Sequence, residues 1–245
     1  MKPNRNSVLI TGGGSGIGKA LAEIFTRNGN NVLLVGRNES ALQQLAHSLP
    51  NCSYRICDLR KQEQVDDLTH FVESEFATLN LLINNAGIQL QYPDAEDFGD
   101  ISAIASEIHI NLTAPAQLTS RLLPILSSKK NAGVIMVTSA LAVSPKQIAP
   151  YYCASKAGLH SLCQSLEWRL EGTGIHLMEL IPPLTDTRMT EGRNQKTISP
   201  DRLADLFWPG FLKDQRVIAP AEAGKVLTLA RWLPGLARKI TRHSK

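Results

Sequence analysis

Short apolar runs alternate with amphipathic stretches through residue 181. VLIT (8–11) is apolar and ends in a cluster of glycines. In the next stretch, IGKALAEIFTRNGNN, Ile17, Ala20, Leu21, Ile24 and Phe25 recur at helical spacing, and Asn28-Gly29 supplies a stop. NVLLVG (31–36) is again β-type, so the first elements form a strand–helix–strand unit. The alternation continues with YRIC (54–57) as a strand, 61–77 as a helix and LNLLIN (79–84) as a strand. Residues 101–128 read as mostly helical, with Pro115 and Pro124 blurring the limits. GVIMVTS (133–139) is a strand, Pro150 to Leu170 a helix stopped by GTG, and IHLMELI (175–181) a strand ending at Pro182-Pro183. The middle strands are apolar nearly throughout, as strands covered on both faces must be. The pattern predicts a three-layer αβα domain of the Rossmann type, built on a doubly wound parallel sheet and spanning 1–245. Six strands are evident and a seventh is doubtful. From 185 to 216 the pattern turns irregular, and a helix from 220 (AEAGKVLTLARWL) leads into a basic tail, 235–245.

Composition narrows the function classes. The net charge of +4 is scattered rather than gathered in a stripe, which argues against nucleic acid as a partner. The apolar run near the amino terminus is too short for a signal peptide, and no stretch approaches the ~18 apolar residues of a membrane span. A soluble, cytoplasmic protein is expected. Cys52, Cys57, Cys153 and Cys163 form no CxxC pair, and the six histidines have no metal spacing, so reduced thiols and no metal are expected.

Between the first strand and first helix lies TGGGSGIG (11–18). Gly12, Gly14, Gly16 and Gly18 allow a tight turn and close approach of a ligand to the backbone. The helix opening at Ser15, Gly16 and Ile17 offers free N–H groups and a positive dipole end to a pyrophosphate. That context makes the glycine pattern a dinucleotide site. At the end of the second strand, an acid usually holds a free ribose 2′-hydroxyl. Here the residues are Gly36-Arg37-Asn38, and the planar fork of Arg37 suits a 2′-phosphate. NADP(H) is expected over NAD(H), with Ser15 adding a hydroxyl.

With TGGGSGIG (11–18), CDL (57–59), NNAG (84–87), HINLT (109–113), VTS (137–139) and YCASK (152–156) in this order, the chain resembles the short-chain dehydrogenase/reductase family in its one-domain form. The resemblance spans residues 7 to about 187. It implies adenine contacts from Asp58 and Leu59, a cofactor floor of Asn85, Ala86 and Gly87, and a catalytic set of Asn111, Ser139, Tyr152 and Lys156. It also has Lys156 bind the nicotinamide ribose.

The chemistry of that set can be argued directly. A carbonyl that accepts hydride needs a proton on its oxygen. A tyrosine hydroxyl can give one, but its free pKa is ~10. A lysine ammonium ~4 Å away, at an effective dielectric of ~20, favours tyrosinate by ~4 kcal/mol, about three pKa units. In YYCASKAGLH (151–160), Tyr152 is four residues from Lys156 and shares its helix face, whereas Tyr151 is rotated away. Ser139, at a strand end, can hold the substrate oxygen, and Asn111 can orient a water that relays protons to Lys156.

Residues 182–187, PPLTDT, depart from the family's usual Pro-Gly-x-Val-x-Thr and are similar to the DltE-like bacterial branch. Pro182, Thr185 and Thr187 are expected cofactor contacts from a loop beside the nicotinamide, stiffened by Pro183, with Thr187 meeting either the carboxamide or the pyrophosphate. The segment 185–216 falls where the family's substrate lid lies. Its Phe207, Trp208, Phe211 and Leu212 fit a pocket wall, core or dimer surface. The tail carries Trp232, Leu236, Arg238, Lys239 and Arg242. It is expected to be solvated and frayed, contact with an anionic membrane being the other reading. Without the usual terminal strand, a homodimer is expected rather than a tetramer. The implied function is an NADP(H)-dependent oxidoreductase acting on a carbonyl/alcohol pair, with Tyr152 as general acid/base. The competing class is an NADP(H)-binding regulator with little turnover.

Overall fold

A computed structural model describes residues 1–94, 96–192, 197–220 and 222–242. β1 (Ser7–Thr11), α1 (Gly16–Arg27), β2 (Asn31–Gly36), α2 (Glu39–Ser48), β3 (Cys52–Ile56), α3 (Gln62–Glu75) and β4 (Leu81–Asn84) form the first half. The second half comprises α4 (Ile101–Ile108), α5 (Ala114–Ser127), β5 (Ala132–Val137), α6 (Pro150–Leu170), β6 (Ile175–Leu180), α7 (Pro200–Leu212), β7 (Val217–Ile218), α8 (Glu222–Trp232) and α9 (Pro234–Arg242). The strands form one parallel sheet in the order β3-β2-β1-β4-β5-β6-β7. Alternate residues feed two cores. Val8, Ile10, Leu34 and Ile83 face one layer, while Leu9, Leu33, Leu82 and Val134 face the other. This double burial is why the central strands carry no polar alternation.

Four features differ from the sequence expectation. α2, which the strand pattern did not announce, is started by Asn38, whose side chain accepts the Ala41 N–H at 3.1 Å. The region 101–128 is two helices joined by a π-turn at His109–Thr113, with Pro115 harmless in the first turn of α5. The doubtful seventh strand exists. It is only Val217–Ile218, paired with Glu179 and Leu180, and too short for a periodic signal. The tail is not frayed over its described part. α9 buries Ala237, Arg242 accepts the Gln147 N–H at 3.1 Å, and Thr241 Oγ1 lies 2.8 Å from Ser144 Oγ. Residues 243–245 of that tail lie outside the described residues.

The aromatic part of the expected lid is core. Phe207 and Phe211 on α7 are fully buried, and Phe211 meets Phe25 of α1 edge-on at 5.0 Å. Trp208 meets the same ring at 5.1 Å, while Leu212 is exposed. The pocket-wall reading of Phe207 and Phe211 is therefore overturned. Residues 193–196 of the lid lie outside the described residues. Among the described residues no helix is long and apolar enough to cross a membrane.

Candidate active site

The winding of the sheet reverses between β1 and β4, and a crevice opens there beyond the strand ends. Thr11, the last residue of β1, stitches the two strands together. Its Oγ1 accepts from the N–H groups of Asn85 and Ala86, both at 3.0 Å, and Asn85 Nδ2 donates to its carbonyl at 2.9 Å. Gly12 takes φ +65°, a conformation that needs glycine. Gly18 lies so close to the Gly12 carbonyl that no side chain fits.

The crevice holds a cleft of about 720 Å³. Gly12, Gly14, Ser15, Gly16 and Ile17 line one stretch of it, and Arg37, Asp58 and Leu59 another. Asn85, Ala86 and Gly87 follow, then Tyr152, Lys156, Pro182 and Thr187. The first turn of α1 carries no acid, and Ser15 makes no side-chain cap, so its hydroxyl and the helix dipole are uncommitted. The exposed Arg37 joins no ion pair among the described residues. These features fit a dinucleotide with its pyrophosphate on α1. Two expected contacts are not on the cleft wall. Gly18 supports the turn from beneath. Thr185 is buried with its Oγ1 donating to Pro183 O at 2.9 Å, which turns its hydroxyl into its own loop.

Of the four residues expected to carry the chemistry, Tyr152 and Lys156 line the cleft, while Asn111 and Ser139 are not on its wall. Tyr152 and Lys156 lie on α6 and are both buried, with Nζ 5.9 Å from the centre of the phenol ring. Lys156 Nζ donates to Val137 O at 2.8 Å. Burial pushes the Lys156 ammonium down to about 8. This desolvation works against the pull of Lys156 on Tyr152 expected from sequence. Ser139 follows the end of β5, and its Oγ accepts the Leu141 N–H at 3.1 Å.

Asn111 occupies the π-turn and is fully buried. Its Nδ2 donates to Ile88 O and Ser155 Oγ, and its Oδ1 accepts the Ile88 N–H at 2.9 Å. One lone pair of four hydrogen-bonding positions is left. Tyr151 points elsewhere: its hydroxyl donates to Phe98 O at 2.8 Å, and its ring stands edge-on to Tyr92.

Several residues escaped the sequence reading. Arg60 lines the cleft and grips Asp58 through Nη2 at 2.5 Å, a hydrogen bond that holds the Asp58 carboxyl below the usual range. Its position two after Asp58 was the available clue. Arg188 and Met189 also line the cleft, from a short turn that starts at Thr187. His160 and Glu179 form a hydrogen-bonded pair with Nδ1 to Oε1 at 2.8 Å. The clue was that His160 is four residues beyond Lys156.

Residues 6–198 match the short chain dehydrogenase family. The chain is 34% identical over 224 residues, 89% of each protein, to the uncharacterized oxidoreductase DltE of Bacillus subtilis. It is 30% identical to an uncharacterized oxidoreductase of Staphylococcus aureus, over 80% of this chain and 87% of the relative. Among solved structures, it is similar to a short-chain dehydrogenase from Sphingobium yanoikuyae in complex with NADPH. The TM-score is 0.80 at 26% identity, covering 98% of both chains. A short-chain dehydrogenase/reductase from Burkholderia phymatum in complex with NAD shares the fold, with a TM-score of 0.85 at 20% identity over 100% of this chain and 98% of that one.

Proposed function

Because this chain belongs to the short-chain dehydrogenase/reductase family of oxidoreductases, we propose that it moves hydride between NADP(H) and the carbonyl/alcohol group of a small molecule. The observation that carries this reading is Tyr152 and Lys156 on the wall of the same cleft that the glycine turn opens. NADP(H), when bound, supplies or accepts the hydride. Gly12, Gly14, Ser15, Gly16, Ile17, Thr187 and the α1 terminus hold its pyrophosphate, and Arg37 its 2′-phosphate. Asp58 and Leu59 meet the adenine. Asn85, Ala86 and Gly87 would form the floor under the cofactor, and Pro182 would stand on the nicotinamide side.

In reduction, Tyr152 gives its hydroxyl proton to the substrate oxygen as charge builds there. The Lys156 ammonium stabilises the tyrosinate left behind. Because Ser139 Oγ already accepts from Leu141, its own hydrogen is available to the substrate oxygen. Asn111 offers its remaining lone pair to a water that returns a proton towards Lys156.

The preference for NADP(H) rests on Arg37 and on the lack of an acid at 36–38. The similar structures divide between NADPH and NAD, so the preference stands on this chain's own residues. The four cysteines are free thiols, which suits work in the cytoplasm; the case for a dimer over a tetramer lapses with the presence of β7. The test is NADPH consumption across a panel of ketones and aldehydes, with NADP⁺ and the matching alcohols in reverse. Turnover of at least one pair is expected. Tight NADPH binding with no turnover anywhere would overturn the enzymatic reading.

A further inference from the structure

The chain closes with two helices, α8 and α9, that belong to neither core. Among their described residues only Ala223 and Ala237 are fully buried. Val226, Leu227 and Leu229 of α8 are half-buried. Further on, Trp232 is 72% exposed, Leu233 55%, Leu236 46% and Ile240 58%. Large apolar side chains gathered at one end of the molecule, rather than scattered singly, mark an interaction surface.

Helical spacing sorts α9 into three faces. Ala237 and Thr241, four residues apart, face the protein. Ala237 is buried, and Thr241 Oγ1 donates to Pro145 O at 3.2 Å and lies 2.8 Å from Ser144 Oγ. Leu233, Leu236 and Ile240, at i, i+3 and i+7, form an apolar stripe beside them. Arg238, Lys239 and Arg242 take the remaining side. The Leu233 carbonyl accepts the N–H groups of Leu236 and Ala237, both at 3.0 Å, and so starts α9 directly after α8. Trp232, the last residue of α8, adds an exposed ring, with the Arg231 guanidinium 5.6 Å from its centre.

Charge decides what covers this surface. Residues 223–242 contain Lys225, Arg231, Arg238, Lys239 and Arg242 and no acid. Arg231, Arg238, Lys239 and Arg242 join no ion pair among the described residues. A two-fold contact between copies of the chain would bring these cations together. An anionic bilayer offers the opposite charge and, beneath it, an apolar layer for the stripe. Long basic side chains reach back to the headgroups while the stripe is immersed. Among the described residues no helix can cross a membrane, so the contact is peripheral.

We propose that the α8–α9 end docks on an anionic phospholipid surface. Trp232, Leu236 and Ile240 enter the headgroup boundary, and Arg238, Lys239 and Arg242 pair with lipid phosphates. The Gln147 N–H donates to Arg242 O at 3.1 Å, so α9 rests on the segment that joins Ser139 to the helix of Tyr152. Docking sets that side of the molecule against the bilayer.

The test is co-sedimentation with phosphatidylcholine vesicles, with and without phosphatidylglycerol. Binding is expected only when phosphatidylglycerol is present, and it should weaken as salt is raised. Arg238→Glu with Lys239→Glu should weaken it about tenfold or more. Leu236→Gln with Ile240→Gln should do the same by removing the stripe. Brominated lipid should quench tryptophan emission in the wild type and much less in Trp232→Phe. All these side chains are exposed, so the variants should keep the wild-type circular dichroism. Equal binding to vesicles without phosphatidylglycerol, binding to neither, or unchanged binding after loss of the stripe overturns the proposal. A dimer that the Leu236 and Ile240 changes dissociate, with no vesicle binding by the wild type, assigns the surface to a second copy and overturns it too. No readout requires turnover, so the outcome is independent of the hydride-transfer reading.

Discussion

Lys156 Nζ donates to the main-chain carbonyl of Val137 at 2.8 Å, which ties the middle of α6 to the end of β5. The ammonium is largely desolvated and stays on this bond at a cost. The folded protein releases its proton near pH 8 and the unfolded chain near 10.5.

Between those values the unfolded chain binds more protons, so this group adds stability as pH rises through that window. Below pH 8 it penalises the fold by about 3 kcal/mol, at ~1.4 kcal/mol per pH unit. Lys156→Met removes the penalty but orphans the Val137 carbonyl. The variant should be more stable than the wild type by about 1–2 kcal/mol at pH 7. The advantage should shrink towards pH 10. Urea unfolding of both proteins at several pH values measures it.

Arg37 should set the choice of dinucleotide. Arg37→Asp replaces a charge-assisted donor with a repelling carboxylate and should weaken NADPH binding about 10–100-fold while sparing or improving NADH. Fluorescence titration with both cofactors reads the ratio. Equal affinities in the wild type would contradict the role given to Arg37.

Gly18→Ala should damage the turn rather than the chemistry. The added methyl would meet the Gly12 carbonyl and the Asn85 amide, both part of the stitch between β1 and β4. A loss of about 1–3 kcal/mol is expected, together with loss of NADPH binding. Denaturant unfolding and cofactor titration of the same preparation check both.

Tyr151→Phe should leave the proton-transfer step intact. Its hydroxyl is engaged by Phe98 O, in the loop between β4 and α4, so the change should move KM more than kcat. Steady-state kinetics of the variant beside the wild type separate the two. The division of the tyrosine pair is legible in the sequence because i to i+4 spacing is fixed by helix geometry.

Other parts of the fold were less legible, for physical reasons. The central strands could be read because both faces are buried and their apolar runs are unbroken. β3 could be placed only to within two residues, because as an edge strand it is half-exposed and its pattern is weak. β7 has two residues and no period to detect. In 203–212, aromatic density alone could not distinguish a pocket wall from packing against Phe25. Thr185 looked like a cofactor contact, yet its hydroxyl closes on Pro183 O. Glu179 was hidden within a run read as an apolar strand. Its partners Thr138 and His160 are distant in sequence and meet it only once the sheet is formed.

Tyr152 is the proton donor on which the proposed reaction depends. The decisive measurement compares NADPH affinity and carbonyl reduction in wild type and Tyr152→Phe, at a pH where both are folded. Affinity should be retained while kcat falls about 10²–10⁴-fold. A variant that turns over within a few-fold of the wild type would contradict it.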